Sequence, residues 1–91
     1  MAISINERKS SDILLSLENS RLVAWKLNDN TAVCVRYEDA YIKDGPFLVS
    51  TFGRGGTFEG ACHDYLSRIR GKTLVFNAYS DTRRKEITIL G

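Results

Sequence analysis

The fold is decided by residues 53–76, which read GRGGTFEGACHDYLSRIRGKTLVF. After the glycine-rich start, apolar side chains recur at intervals of three and four residues, the period of an amphipathic helix. These apolar positions are Phe58, Ala61, Cys62, Tyr65, Leu66 and Ile69. Thr57 is a favoured N-cap residue, and Gly71 suits the left-handed position that ends many helices. The pattern predicts a helix over about residues 57–70.

The segments outside this helix alternate between apolar and polar residues, which is typical of β-strands. The predicted strands cover residues 21–27, 31–37, 47–52, 73–78 and 84–90. The first two are joined by Asn28-Asp29-Asn30, residue types that tolerate tight turns, and they predict a hairpin. Residues 40–43 either extend the second strand or form a short one of their own.

The remaining segment is the N-terminus. Residues 1–10 are polar, and we expect them to be flexible. Good N-cap residues then precede an apolar run at residues 13–17, which predicts a short helix. Residues 11–91 therefore form a single α+β domain. It has a mostly antiparallel sheet of four to five strands, with the long helix packed on one face.

Composition limits the classes of protein that this chain can belong to. Of its 91 residues 43% are apolar, and 13 basic against 11 acidic residues give a net charge of +2. Length excludes a large multidomain enzyme and composition argues against a disordered chain, but the charge alone selects no partner class. The two cysteines form no disulfide framework, and no apolar run approaches the ~20 residues of a membrane span. We expect a cytoplasmic protein that does not enter a membrane.

The glycine-rich segment Gly53-Arg54-Gly55-Gly56-Thr57 is the first candidate binding site. Free backbone N–H groups at a helix start attract anions, and the Arg54 guanidinium adds a fork for phosphate or carboxylate. No Gly-Lys-Ser/Thr follows, so the segment is not a nucleotide P-loop. The alternative interpretation is that the glycines only let the chain turn sharply from sheet to helix.

The second candidate is a basic cluster with one aromatic residue. Its members are Arg68, Arg70, Lys72, Tyr79, Arg83, Arg84 and Lys85. If the last two strands pair, both groups of basic residues can lie near one end of the sheet, where they would bind phosphate while the tyrosine stacks on a base. The alternative is a solvated face that contributes only to solubility.

The sequence offers little for catalysis. His63 is the only histidine, and with Cys62 and Cys34 it falls short of a zinc ligand set. Consecutive positions on a helix do not face each other, so Cys62 and His63 do not form a nucleophile–base pair. We therefore expect no catalytic residues, no metal and no cofactor.

Two stretches resemble known proteins. The helix start at residues 55–61 (G-x-T-x-E-x-A) and the join at residues 69–76 (I-x-G-K-x-L-V-F) are similar to small uncharacterised bacteriophage and prophage proteins. Residues 55–61 also resemble HicB-type antitoxin domains, which place such a helix after three antiparallel strands. Gly60 stands where those domains have a second acidic residue, and no DNA-binding tail follows, so this likeness supports the fold more than the function.

These observations predict a binding protein and not an enzyme. The phage resemblance implies an accessory factor that inhibits or sequesters a host protein, such as part of a defence system. The alternative is a nucleic-acid or nucleotide (phosphate) binding domain that uses the basic C-terminal half. An edge strand also offers a route to a homodimer.

Overall fold

The computed structural model describes residues 9–17, 21–27 and 31–89, which form two helices and seven strands. In chain order they are α1 (Ser10–Leu17), β1 (Leu22–Lys26), β2 (Val33–Tyr37), β3 (Ala40–Asp44), β4 (Phe47–Val49), β5 (Gly53–Gly55), α2 (Phe58–Ile69), β6 (Thr73–Phe76) and β7 (Lys85–Thr88). The α+β class and both predicted helices are confirmed. Residues 1–8 of the predicted flexible terminus, and the predicted turn at residues 28–30, lie outside the described residues.

The strands are divided between two antiparallel sheets, with orders β1-β2-β5 and β4-β3-β6-β7. The chain first passes from the three-stranded to the four-stranded sheet between β2 and β3, returns with β5, and crosses again through α2 to β6. Between β2 and β3 Asp39 adopts a φ of 54°, a left-handed conformation that aspartate tolerates better than most residues. This turn bends the chain, so that β2 pairs with one set of neighbours and β3 with another.

Two predicted strands end earlier than their patterns indicate. The strand predicted over residues 47–52 stops at Val49, and the glycine-rich segment after it forms a separate strand, β5. The strand predicted over residues 73–78 stops at Phe76, because Asn77 has a φ of 54° and leaves the extended conformation. Local conformation at a turn has overridden the alternating pattern in the second case.

The termini of α2 follow the prediction. Thr57 is the N-cap, and its Oγ1 accepts a hydrogen bond of 3.0 Å from the backbone N–H of Gly60. At the other end Gly71 has a φ of 73°, which a residue with a Cβ adopts only at a cost. The N–H of Gly71 donates to the carbonyl of Ile89 at 2.7 Å, so the helix end is fixed to the end of the last strand.

The core lies between α2 and the inner faces of both sheets. Tyr37 at the end of β2 is its centre, with ring centroids 5.6 Å from Tyr65 on α2 and 5.5 Å from Phe76 on β6, both edge-on. The hydroxyl of Tyr37 donates to the carbonyl of Leu14 in α1, and the backbone N–H of Tyr37 donates to the hydroxyl of Tyr65. The buried polar groups of this aromatic cluster are therefore paired, as burial requires.

The short helix α1 is fixed to α2 by a carboxylate. The backbone N–H and the hydroxyl of Ser11 donate to the two oxygens of Glu59, at 3.0 and 2.5 Å. Burial alone would raise the pKa of Glu59, but the hydrogen bonds from Ser11 and the charge of Lys9 outweigh it and lower the pKa. A carboxylate at the first turn of α1 also interacts favourably with the helix dipole.

Candidate functional site

The glycine-rich segment is part of the three-stranded sheet and lies directly beneath α2. Gly53 and Gly55 pair with Val35 and Val33 of β2, on the sheet face that the helix covers. A Cβ on Gly53 would lie 2.2 Å from the carbonyl oxygen of Ala61, and one on Gly55 would lie 2.6 Å from the N–H nitrogen of Ala61. This close approach gives the two glycines a structural role, which differs from the sharp turn considered from the sequence: they let α2 pack directly against β5.

A carboxylate from α2 lies at the glycine-rich segment, where the sequence suggested a site for an external anion. The backbone N–H of Arg54 donates to Asp64 Oδ2 at 2.9 Å, and Arg68 Nε donates to the same oxygen at 3.0 Å. These two hydrogen bonds lower the pKa of Asp64, and the one from the Arg54 backbone has the larger effect. The N–H of Gly60 is taken by the Thr57 hydroxyl. A carboxylate therefore already occupies part of the position that the sequence suggested for an external anion.

The predicted basic cluster is divided into two groups. In the β6–β7 ladder Thr73 pairs with Thr88 at one end, and Phe76 pairs with Lys85 at the other. Arg68, Arg70 and Lys72 precede the first end, whereas Arg83 and Arg84 precede Lys85 at the second. The expectation that both groups lie near one end of the sheet is therefore wrong, because antiparallel pairing places them about 10 Å apart along the strand.

Carboxylates already neutralise part of this cluster. Arg68 forms an ion pair with Asp64 at 3.0 Å, and Arg84 forms one with Glu86 at 3.1 Å. Tyr79 is 84% exposed and touches Tyr41 edge-on, with centroids 6.2 Å apart. The other basic members of the cluster are all exposed; they are Arg70, Lys72, Arg83 and Lys85.

The two neighbouring residues considered for catalysis, Cys62 and His63, differ in exposure: one is buried and the other faces solvent. Cys62 is fully buried, and burial together with the charge of Glu59 raises the pKa of its thiol to about 11. His63 is exposed, and as the next residue along α2 it points about 100° away from Cys62. In the part of the chain that the structure describes, no three His, Cys, Asp or Glu side chains cluster to hold a metal ion.

A different surface combines exposed aromatic rings with arginines. In the β1-β2-β5 sheet Trp25 pairs with Cys34, and Cys34 pairs with Arg54, so these three side chains share the face opposite α2. Arg36 follows two residues along β2 on the same face. Phe52, just before β5, reaches this face and places its ring centroid 5.8 Å from that of Trp25. We call these five residues the outer face.

The aromatic pair of the outer face spans β2. Trp25 is on β1 and Phe52 is on the β5 side, so their contact crosses above Cys34, which is fully buried although it points away from the helix. The two rings themselves remain 38% and 44% exposed. Large aromatic side chains this exposed on a sheet face are typical of binding surfaces more than of cores.

The arginines of the outer face are unlike those of the predicted cluster. Neither the Arg36 nor the Arg54 guanidinium has a hydrogen bond or ion pair with any residue in the described ranges, whereas Arg68 and Arg84 are both paired with carboxylates. No acidic residue occupies a paired position on this face of the sheet. The outer face therefore carries two guanidiniums that form no ion pair with a described carboxylate.

This surface, apart from Arg54, does not emerge from the sequence patterns. The alternation places Trp25 on one face of the first predicted strand and places Cys34 and Arg36 together on one face of the second. It does not show whether these two faces lie on the same side of the sheet. The signal lies in the hairpin register, which pairs Trp25 with Cys34. Phe52 was missed because the strand predicted over residues 47–52 runs straight through it.

Comparison with protein-family models, with curated proteins and with solved structures gives no match for this chain. The resemblance to phage proteins and to HicB-type domains therefore stays a prediction. Over the described residues, neither helix has the length and apolar character that crossing a bilayer requires.

Proposed function

We propose that this protein binds nucleic acid through the outer face of its three-stranded sheet. The observation that supports this proposal is the position of two guanidiniums, Arg36 and Arg54, that no described residue pairs with, beside the exposed rings of Trp25 and Phe52. Guanidinium is planar and always charged, and it hydrogen-bonds phosphate with two parallel N–H groups.

The location of the surface supports the same proposal. The opposite face of the sheet is covered by α2, which fixes the strands from beneath and leaves the outer face uncovered by the described helices. A rigid sheet that displays arginines and aromatic rings is a recurrent platform for nucleic acid. The other sequence-based hypotheses, a phage factor that sequesters a host protein and an edge-strand homodimer, stay predictions.

The experiment is a fluorescence anisotropy titration of dye-labelled DNA of mixed sequence, single-stranded and duplex, over a series of salt concentrations. We expect a dissociation constant in the micromolar range at about 50 mM salt that weakens as salt rises, as phosphate binding requires. Replacing two phosphate-binding arginines, in R36Q/R54Q, should weaken binding about 10-fold or more at low salt and reduce the salt slope by about two.

The matched control is R70Q/R83Q, which removes the same amount of charge from two exposed arginines outside the outer face. We expect it to bind nearly as tightly as wild type. Loss of binding in R70Q/R83Q with R36Q/R54Q unaffected would move the site to the cluster predicted from the sequence. No binding of either DNA by wild type at about 100 µM protein would overturn the proposal, since even non-specific binding falls near or below this range.

A further inference from the structure

We infer that the ligand is single-stranded, with a base stacked on the Trp25–Phe52 pair and the flanking phosphates bound by Arg36 and Arg54. This inference rests on the proposed function and specifies the form of nucleic acid that the outer face recognises. The rings and the arginines of this face suit different parts of a nucleotide, the base and the phosphates.

The aromatic pair provides contacts that a duplex cannot use. Trp25 and Phe52 have tilted rings, 53° apart, and both remain partly exposed. In a duplex the faces of the bases are covered by their neighbours, so a flat protein surface meets phosphate and sugar. In a single strand a base can be splayed out and placed against an aromatic ring, and every base offers such a π-face.

The arginines stand at a suitable spacing around this pair. Arg54 is directly opposite Cys34, and Arg36 lies two residues further along β2. Strand spacing and rise put their Cα atoms about 8 Å apart, and both side chains project from the face that carries the rings. Two guanidiniums at this separation can hold the phosphates on the two sides of one stacked nucleotide, so charge and stacking act on the same segment of strand.

The chain supplies its own reporter for stacking. Trp25 is the only tryptophan, and it is part of the aromatic pair, so a base stacked on it changes the whole tryptophan emission of the protein. Binding that involves the arginines alone leaves the indole without a stacked base. Tryptophan fluorescence therefore separates stacking from simple phosphate binding.

The test titrates the full chain with three 12-mers: oligothymidylate, a duplex of mixed sequence, and an abasic strand that keeps the phosphates but lacks bases. Oligouridylate is added to compare RNA with DNA. We expect oligothymidylate to quench Trp25 and to bind roughly 5- to 150-fold more tightly than the abasic strand, the range that one stacked base supplies. The duplex should bind about as weakly as the abasic strand.

Variants assign this difference to the rings. W25L and F52L should each lower the affinity for labelled oligothymidylate towards that of the abasic strand, W25F should retain most of it, and both leucine variants should bind the abasic strand like wild type. The control is Y79L, which removes an aromatic ring outside the outer face and should change nothing. Far-UV circular dichroism and a cooperative urea transition establish that each variant is folded. If W25L does not fold, F52L still tests the inference.

The outcomes separate the two proposals. Equal binding of all the 12-mers with unchanged Trp25 emission would overturn the stacking inference and leave phosphate binding in place. A leucine variant that is folded and binds oligothymidylate like wild type would also overturn it. Failure of every oligonucleotide to bind would overturn both proposals and favour a protein partner for the outer face.

Discussion

Replacing Gly53 by alanine tests whether the glycine-rich segment is there for packing. The added Cβ would lie 2.2 Å from the carbonyl oxygen of Ala61 and 2.4 Å from both the backbone nitrogen and the Cβ of Tyr65. Ordinary contacts between such atoms are about 3.5 Å or more, so the variant must open a gap of more than about 1 Å. Two of these three nearest atoms are helix backbone, so relief requires β5 or α2 to move.

The expected loss of unfolding free energy in G53A follows from the cost of overpacking a core. Extra methyl groups in well-packed cores cost about 1–3 kcal/mol, occasionally more, when side chains can adjust. Here the backbone has to adjust, so we expect G53A to lose at least about 3 kcal/mol of unfolding free energy. A chain of this size has a stability on the order of 5–14 kcal/mol, so the loss is a large fraction of the total.

The assay is urea unfolding followed by circular dichroism, and the matched control is G56A in the same segment. With an m-value of about 1–3 kcal/mol/M, G53A should lower the urea midpoint by roughly 1–3 M. A Cβ on Gly56 would meet no atom within 4 Å, and the φ of Gly56 lies outside the left-handed region, so G56A should be neutral or stabilising by up to about 1 kcal/mol. A G53A midpoint within about 0.3 M of wild type at an equal m-value would refute the packing argument.

Three further predictions concern the interior. In E59Q the acceptor of both Ser11 hydrogen bonds loses its charge, and we expect a loss of about 1 kcal/mol at pH 7. Because the folded state lowers the pKa of Glu59, the stability that it adds is present above the unfolded value of 4.5 and is lost as the pH falls through the lowered pKa, so wild type and variant should converge in urea titrations carried out towards pH 3. In Y65F the backbone N–H of Tyr37 loses its buried acceptor, which should cost about 1–3 kcal/mol in the same assay. Cys62, with its pKa raised from 9.0 to about 11, should react at least about 100-fold more slowly with a disulfide reagent at pH 8 in the native protein than in urea, as followed by peptide mass mapping.

The long helix was predictable because its signals are local. The apolar period places Ala61 and Tyr65 on one stripe, and the N-cap at Thr57 and the left-handed Gly71 mark its ends. Each of these features depends on residues a few positions apart, and each is confirmed. Most of the other strands were recognised for the same reason, but β5 was not predicted, because Gly53-Arg54-Gly55 has no apolar alternation. The ends of the strands were also missed, since Asn77 leaves the extended conformation at a turn that the alternation does not encode.

The outer face was not predictable by the same means. Which side of β1 coincides with which side of β2 depends on the register, and a shift of one residue would separate Trp25 from Cys34 and reverse the conclusion. The ion pairs that neutralise Arg68 and Arg84 are also invisible to a count of basic residues. The sequence therefore favoured the densest basic cluster, in which Arg68 and Arg84 are paired with carboxylates in the folded protein.

Strand β5 contributes both to the packing of α2 and to the outer face. Its sequence is Gly53-Arg54-Gly55, an alternation in which the inward positions have no side chain and the outward position has a long cationic one. The glycines let α2 approach until helix backbone lies against strand backbone, so the helix covers this face of the sheet closely. The same alternation forces Arg54 onto the opposite face beside Cys34 and the aromatic pair. A sharp turn into α2 does not account for this pairing with β2, so the segment is a strand that packs against the helix on one face and places Arg54 on the other.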